Sequence, residues 1–382
     1  MRVWPKILIC VALPVATGGA CQSSRSSAPA AGGHPAPTAE RDVSTGEASA
    51  TPSADKALQR ATDGPRDAVT ILGRDEIPTD RRRYPYNHAA TIGQGPDGEL
   101  LVAWGAGSRE LGPDTVILLS RRPAAGGSWS TPIVVADKPN FADANPVLFV
   151  DDRGVVWLYH VEMYGPEFCT GRIAARSSSD GGQTWSRPSR PLPALCTMVR
   201  HHVLITRGGR WVLPAYQQAL YQSNFWLSDD RGRTWRGTKP LLTLPSNNLQ
   251  PAVVEMDDGS LLGMARSTGP DFHTWQLRSF DGGQSWDARQ RSELPNPNSG
   301  LELSRLANGA LLLFFNPSRD ERTPLAVSIS RDDGASWSEP QTLADGPPQL
   351  SYPSAVQTTD GTIHLVYSHR LTSIRHVHLS VR

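Results

Sequence analysis

Lysine is nearly absent from this sequence: four lysines stand against 34 arginines, and the 382 residues carry a formal net charge of only +1. So close a balance excludes a global field for nucleic acid or an anionic membrane surface, and leaves charge-based recognition to local clusters. Apolar runs long enough to cross a membrane are missing too; ILICVALPVA at 7–16 is too short to span a bilayer. No zinc-ligand spacing, glycine-rich phosphate loop or GxSxG elbow occurs. His201 and His202 are adjacent, so a strand would send them to opposite faces and not to one metal. No metal and no cofactor is expected.

Cysteine is scarce, with four residues in all. Cys10 lies in the apolar run, which Arg2 and Lys6 precede in the manner of a secretory leader. Cys21 follows the small residues Thr17, Gly18, Gly19 and Ala20, and this resembles a bacterial lipobox with Cys21 as the lipidated residue. Residues 1–20 therefore read as a lipoprotein-type signal peptide, and the protein as extracytoplasmic, anchored through lipid or else secreted. Residues 21–65 are rich in Ala, Ser, Pro and Gly and poor in large apolar side chains, so they read as a disordered tether. Cys169 and Cys196 remain, and in an oxidising compartment they form a candidate disulfide.

What the sequence has is a repeat. SSDGGQTW (178–185), SDDRGRTW (228–235), SFDGGQSW (279–286) and SRDDGASW (330–337) share one pattern, with a degraded copy ending at Trp129. The five tryptophans are 56, 50, 51 and 51 residues apart, a period of stacked supersecondary units. In each copy the Asp can accept turn amides, the Gly supplies a positive φ, and the Trp fills the seam below, so these residues read as structural. A second signal is a turn glycine before an apolar strand, at Gly98, Gly154, Gly209, Gly259, Gly309 and Gly361. Together they predict an all-β, six-bladed propeller of four-stranded antiparallel blades over 66–382. A strand near Val69 to Gly73 would supply the last blade's missing strand and close the ring.

Strand alternation puts both kinds of turn on one face and the heads of the innermost strands on the other. Nine residues before each turn glycine stand Asn145, Arg200, Gln250, Gly300 and Tyr352, with Asn87 or His88 as the first equivalent. Tyr216 and Arg266 lie seven residues after their glycines, and the loops to the third strands add Glu110 and Arg322. Arginine forks bind carboxylates bidentately, so Arg266 and Arg322 read as an anion clamp. Asn298 belongs to the expected pocket rim.

On the octapeptides and on these heads, the chain resembles the sialidase (neuraminidase) superfamily, in particular bacterial proteins with sialidase-like BNR, or Asp-box, repeats. The resemblance implies that Arg266 and Arg322 match the second and third arginines of a carboxylate clamp, and that Tyr352 matches the nucleophile. A neutral phenol can approach an anomeric carbon that bears a carboxylate, where an anionic nucleophile would be repelled. Three positions depart from the pattern. Tyr86-Asn87-His88-Ala89 replaces the segment with the first clamp arginine, Gln250 stands where a glutamate would activate Tyr352, and Glu110 is the nearest substitute for the acid/base aspartate. His88 could accept the phenolic proton instead.

The expected function is therefore an exported exo-glycosidase of sialidase type, with catalytic Tyr352, Glu110 and His88. Arg266, Arg322, Asn87, Gln250, Asn145, Arg200, Tyr216 and Asn298 would bind the substrate. A uronate-directed polysaccharide lyase and a non-catalytic carbohydrate-binding propeller are the alternatives. The expected partner is an acidic glycan, met by a monomer.

Overall fold

A computed structural model describes residues 68–381 apart from 245, 270 and 271. The expected leader, Cys21 and the expected tether lie outside the described residues. The rest is an all-β propeller, its strands joined by short turns. Pairing gives three four-stranded sheets, one of three strands (Asp143–Val150, Val156–Glu162, Arg172–Ser178) and one of nine. The nine-stranded sheet contains two antiparallel meanders joined by one parallel pair, Gln222 with Asn248. The expectation of six separate four-stranded blades is thus met only in part. Strand Val69–Glu76 lies antiparallel to Ser373–Val381, beside Ile363–His369 and Leu350–Gln357.

Strands near the centre are covered on both faces. All eight residues of Leu100–Gly107 are buried, as are all five of Leu311–Phe315. Burial on both faces explains why these segments read as continuous apolar runs instead of alternating patterns. The six turn glycines have φ between 77° and 87°, the left-handed region that excludes most side chains.

The Asp-boxes are closed circuits. Asp281 Oδ1 accepts from the backbone amides of Gln284 and Ser285, each at 2.9 Å, and from the Ser279 hydroxyl at 2.9 Å. Trp286 Nε1 donates to Gly283 O at 3.0 Å, and its ring stacks 3.9 Å from Phe225. The boxes at Asp180, Asp230 and Asp332 repeat the amide and serine hydroxyl bonds to the carboxylate, and Trp185 and Trp235 repeat the indole bond to glycine, whereas Trp337 Nε1 has no partner among the described residues. Hydrogen bonds from the Thr234 hydroxyl and amide hold Asp230 down to about 2. In all four boxes the Asp carboxylate and the Ser hydroxyl are spent on their own turn. Elsewhere, Cys169 and Cys196 are joined as a disulfide.

Candidate active site

The face away from the Asp-boxes is built by one backbone device used four times. Ala89, Asn145, Gln250 and Tyr352 all take positive φ, at 58°, 48°, 51° and 57°. Each sits where its strand slips register against the next: between His88 and Thr91, Ala144 and Val147, Leu249 and Ala252, and Ser351 and Ser354. These are β-bulges, which re-aim a side chain at the cost of a left-handed residue, about 1–2 kcal/mol each. Proline follows three of them, at Pro146, Pro251 and Pro353. A residue with no amide hydrogen loses nothing where the ladder is interrupted. The equivalent head in the first strand is therefore Ala89, not Asn87 or His88.

The bulge aims Tyr352 into a cluster of cations. The side chain is 8% exposed, and the guanidinium carbons of Arg200, Arg266 and Arg322 lie 5.2, 5.7 and 5.5 Å from its ring centre. Arg266 Nη1 donates to the phenolic oxygen at 3.0 Å. Arg266 and Arg322 also converge on the Asn298 carbonyl oxygen, at 3.1 and 2.7 Å. Two guanidinium groups sharing one oxygen form a preset anion clamp. Room for the ring comes from Gly300, where an added Cβ would lie 3.2 Å from Tyr352 Cγ and 3.3 Å from Gln250 Oε1.

Gln250 Nε2 faces two hydroxyls, Tyr216 at 3.3 Å and Tyr352 at 3.4 Å, while its Oε1 has no partner among the described residues. Turned over, the amide oxygen would accept hydrogen bonds from both hydroxyls. Asn145 Nδ2 completes the group by donating to the Tyr216 hydroxyl at 3.3 Å.

Burial pushes the Tyr352 phenol up, but Arg266, Arg322 and the Gln250 amide outweigh it and leave the pKa below the usual 10. Tyr216, buried with less compensation, is pushed up to about 12. Glu110 stands on the exposed loop after Gly107, a loop tied by Ser108 to Asp114. The atoms packed around its carboxyl still push its pKa above the usual 4.5, against the pull of Arg322 and Arg266. Among the described residues its carboxylate makes no hydrogen bond, which leaves it free to give a proton to a ligand.

The profile of the BNR repeat-like domain matches residues 98–365. The chain belongs to the sialidase-like BNR-repeat superfamily. It is 25% identical over 185 residues to the anhydrosialidase of Macrobdella decora, a match covering 44% of this chain but only 23% of that protein's length. Among solved structures it resembles a Dyadobacter fermentans protein of unknown function (18% identity, TM-score 0.69, covering 82% of this chain and 99% of that one). It also resembles the intramolecular trans-sialidase of Ruminococcus gnavus (15% identity, TM-score 0.63, 82% and 97%). At these identities the structural likeness is one of fold.

Within this family frame, several expected residues take other places. Asn87 is fully buried; its amide donates to Tyr84 O and Thr372 O, and its oxygen accepts from Trp104 Nε1 at 2.8 Å. It braces the strand and has no group left for a substrate. His88 lies against Tyr352, with ring centres 4.3 Å apart, but its Nδ1 meets Ser368 Oγ at 2.9 Å. Burial first, then Arg322 and Arg200, push its pKa well below 6.5. It packs on the ring as a neutral imidazole, and among the described residues it makes no hydrogen bond to the phenolic oxygen. Arg200 is 1% exposed and bonds inward to backbone, so it does not face a substrate. Asn298 contributes its carbonyl, not its amide. His201 and His202 do diverge, one to Glu302 and the other to Leu148 O and Ser354 Oγ. An open groove of about 850 Å³, lined by Leu242, Leu244, Trp275, Phe280 and Trp286, contains none of the hub residues.

Proposed function

We propose that the protein is an exo-glycosidase of sialidase type acting on an acidic sugar of a glycan. The observation that carries this reading is the Tyr352 phenol held 3.0 Å from Arg266 between two guanidinium groups that also share one oxygen. In the bound state the sugar carboxylate replaces the Asn298 carbonyl as their acceptor. The phenol then attacks the anomeric carbon, its proton passing to water, while Glu110, its pKa raised, protonates the leaving oxygen. Water then attacks the same carbon, gives a proton to the Glu110 carboxylate and displaces the Tyr352 phenolate, which takes back a proton from solvent. Release of a chromophore from an acidic-sugar glycoside tests the reading, with neutral glycosides as controls; no release from any acidic glycoside would end it.

Gln250 favours a second reading, a carbohydrate-binding propeller without turnover, because an amide is no general base. Acidic-glycan binding unchanged in Tyr352→Phe, with no product, would select it. An unsaturated, ultraviolet-absorbing product would instead select uronate elimination, with Arg266 and Arg322 on the carboxylate and His88 or Tyr352 removing the proton.

The architecture belongs to the same proposal. Counting the two meanders of the nine-stranded sheet separately gives six blades, and the pairing of Val69–Glu76 with Ser373–Val381 supports ring closure. We assign 1–20 to a signal peptide, 21–65 to a tether carried on lipidated Cys21, and 66–382 to the propeller. The protein is then an extracytoplasmic monomer.

A further inference from the structure

Arg200 is among the largest side chains fully buried in the protein. Its Nη2 donates to two successive carbonyls, Tyr352 O at 2.8 Å and Pro353 O at 3.0 Å. Those carbonyls point inward because the strand slips register between Ser351 and Ser354 with Tyr352 at a φ of 57°. Among the described residues Nε and Nη1 of Arg200 have no hydrogen-bond partner. A buried guanidinium with two orphan donors is an expensive way to brace a strand. Its position offers what a simpler brace would not, a fixed positive charge 5.2 Å from the phenol ring.

We propose that Arg200 is a positioning residue that both locks the Tyr352 bulge and supplies the charge that favours phenolate, in place of the general base that Gln250 cannot be. The inference rests on the reading of Tyr352 as a nucleophile. Two functions meet in one group. The Nη2 fork fixes the peptide that sets where the phenol points, and the cation under the ring favours negative charge on it as the proton leaves. A carboxylate substrate will occupy Arg266 and Arg322 and withdraw part of their pull on the phenol. Arg200, sealed from the ligand, keeps its own.

The titratable and charged groups around Tyr352 are Tyr86 and His88 from strand Tyr86–Gln94, Glu110 from the loop after Leu100–Gly107, Arg200, Tyr216, Arg266 and Arg322. Glu110 and the two tyrosines oppose phenolate, and His88 is neutral. Behind Arg200 lies Glu302, buried and pushed up to about 8, with Arg200 pulling the other way. A protonated Glu302 does not cancel the guanidinium.

The test is the ultraviolet titration of the Tyr352 phenol, obtained as the difference between the wild type and Tyr352→Phe, and repeated in Arg200→Gln and Arg200→Lys backgrounds. It needs no turnover, so it stands or falls separately from the glycosidase reading. The wild type should show one phenol titrating below the ordinary value of about 10. Arg200→Gln should move it up by at least about one pH unit, a tenfold loss of phenolate. Arg200→Lys should recover part of the shift. Where an acidic glycoside is turned over, kcat should fall about tenfold in Arg200→Gln with KM within about threefold, since the charge acts on the phenol and not on the carboxylate. A titration unmoved in a folded Arg200→Gln protein would overturn the proposal. So would loss of the fold in both variants, which would make Arg200 a core brace and nothing more.

Discussion

The two ends of this propeller repeat the same economy of backbone with opposite use of side chains. At one end four Asp-boxes keep the same residues and a carboxylate bonded to its own turn, and three of them add an indole bonded to its own glycine. At the other end four bulges keep the same positive φ but carry Ala89, Asn145, Gln250 and Tyr352. Where geometry and residue repeat together, the carboxylate is satisfied inside the turn and the role is structural. Where geometry repeats and the residue varies, side chains are left facing the axis, with orphans such as Gln250 Oε1. The comparison separates scaffold from site without any ligand being present.

Breaking the site end should cost binding while leaving the fold. Arg266→Met or Arg322→Met removes one arm of the clamp, a charge-assisted contact of about 1.5–3 kcal/mol. Affinity for an acidic sugar, read by calorimetry, should fall roughly 10–150-fold, with neutral sugars unaffected.

Breaking the scaffold end should do the reverse. Trp286→Ala removes the ring stacked on Phe225 and should lower stability by about 2–3 kcal/mol in a denaturant titration, with affinity per folded molecule unchanged. A pH effect divides the two ends in the same sense. Asp230 is held to about 2, below the unfolded 3.8, so its contribution is full above the unfolded value and is lost as acid approaches the folded one. Glu110 is raised, so its protonated form persists to higher pH, and turnover should decline as pH rises through its pKa. Glu110→Gln should abolish that alkaline limb of kcat without moving the acid unfolding transition.

The smallest effect sharpens the comparison most. Gln250→Glu restores a base beside the phenol, yet turnover should change by less than about tenfold if cations already hold the pKa of Tyr352 below 10. An increase of a hundredfold or more would mean that the arginines do not substitute for the glutamate.

Much of this was legible in the sequence, for physical reasons. The Asp-boxes and turn glycines announce themselves because each depends on residues a few positions apart. The approach of Tyr352, Arg266 and Arg322 followed from counting back and forward from those glycines, since every blade meets the axis at the same place. What spacing could not reveal was the local slip. The first head was read at Asn87 or His88 by allowing that blade two extra residues, although nine residues before Gly98 is Ala89, where the strand slips; proline after Asn145, Gln250 and Tyr352 was the available sign of the slips in the others. Burial was hidden as well. Arg200 shares the head position with Gln250 and Tyr352 but lacks their positive φ and turns inward, while Asn298 offers backbone in place of side chain. The value of Gly300 lies in an atom it does not have.

The central claim is that the hub places a nucleophilic phenol at the anomeric carbon of a carboxylate-bearing sugar. Incubation with a fluorinated glycosyl fluoride of an acidic sugar, followed by proteolysis and mass spectrometry, tests it most directly. The account predicts a single glycosyl adduct on Tyr352 that is absent in Tyr352→Phe. Full hydrolysis of an acidic glycoside by Tyr352→Phe, or an adduct on another residue, would contradict it.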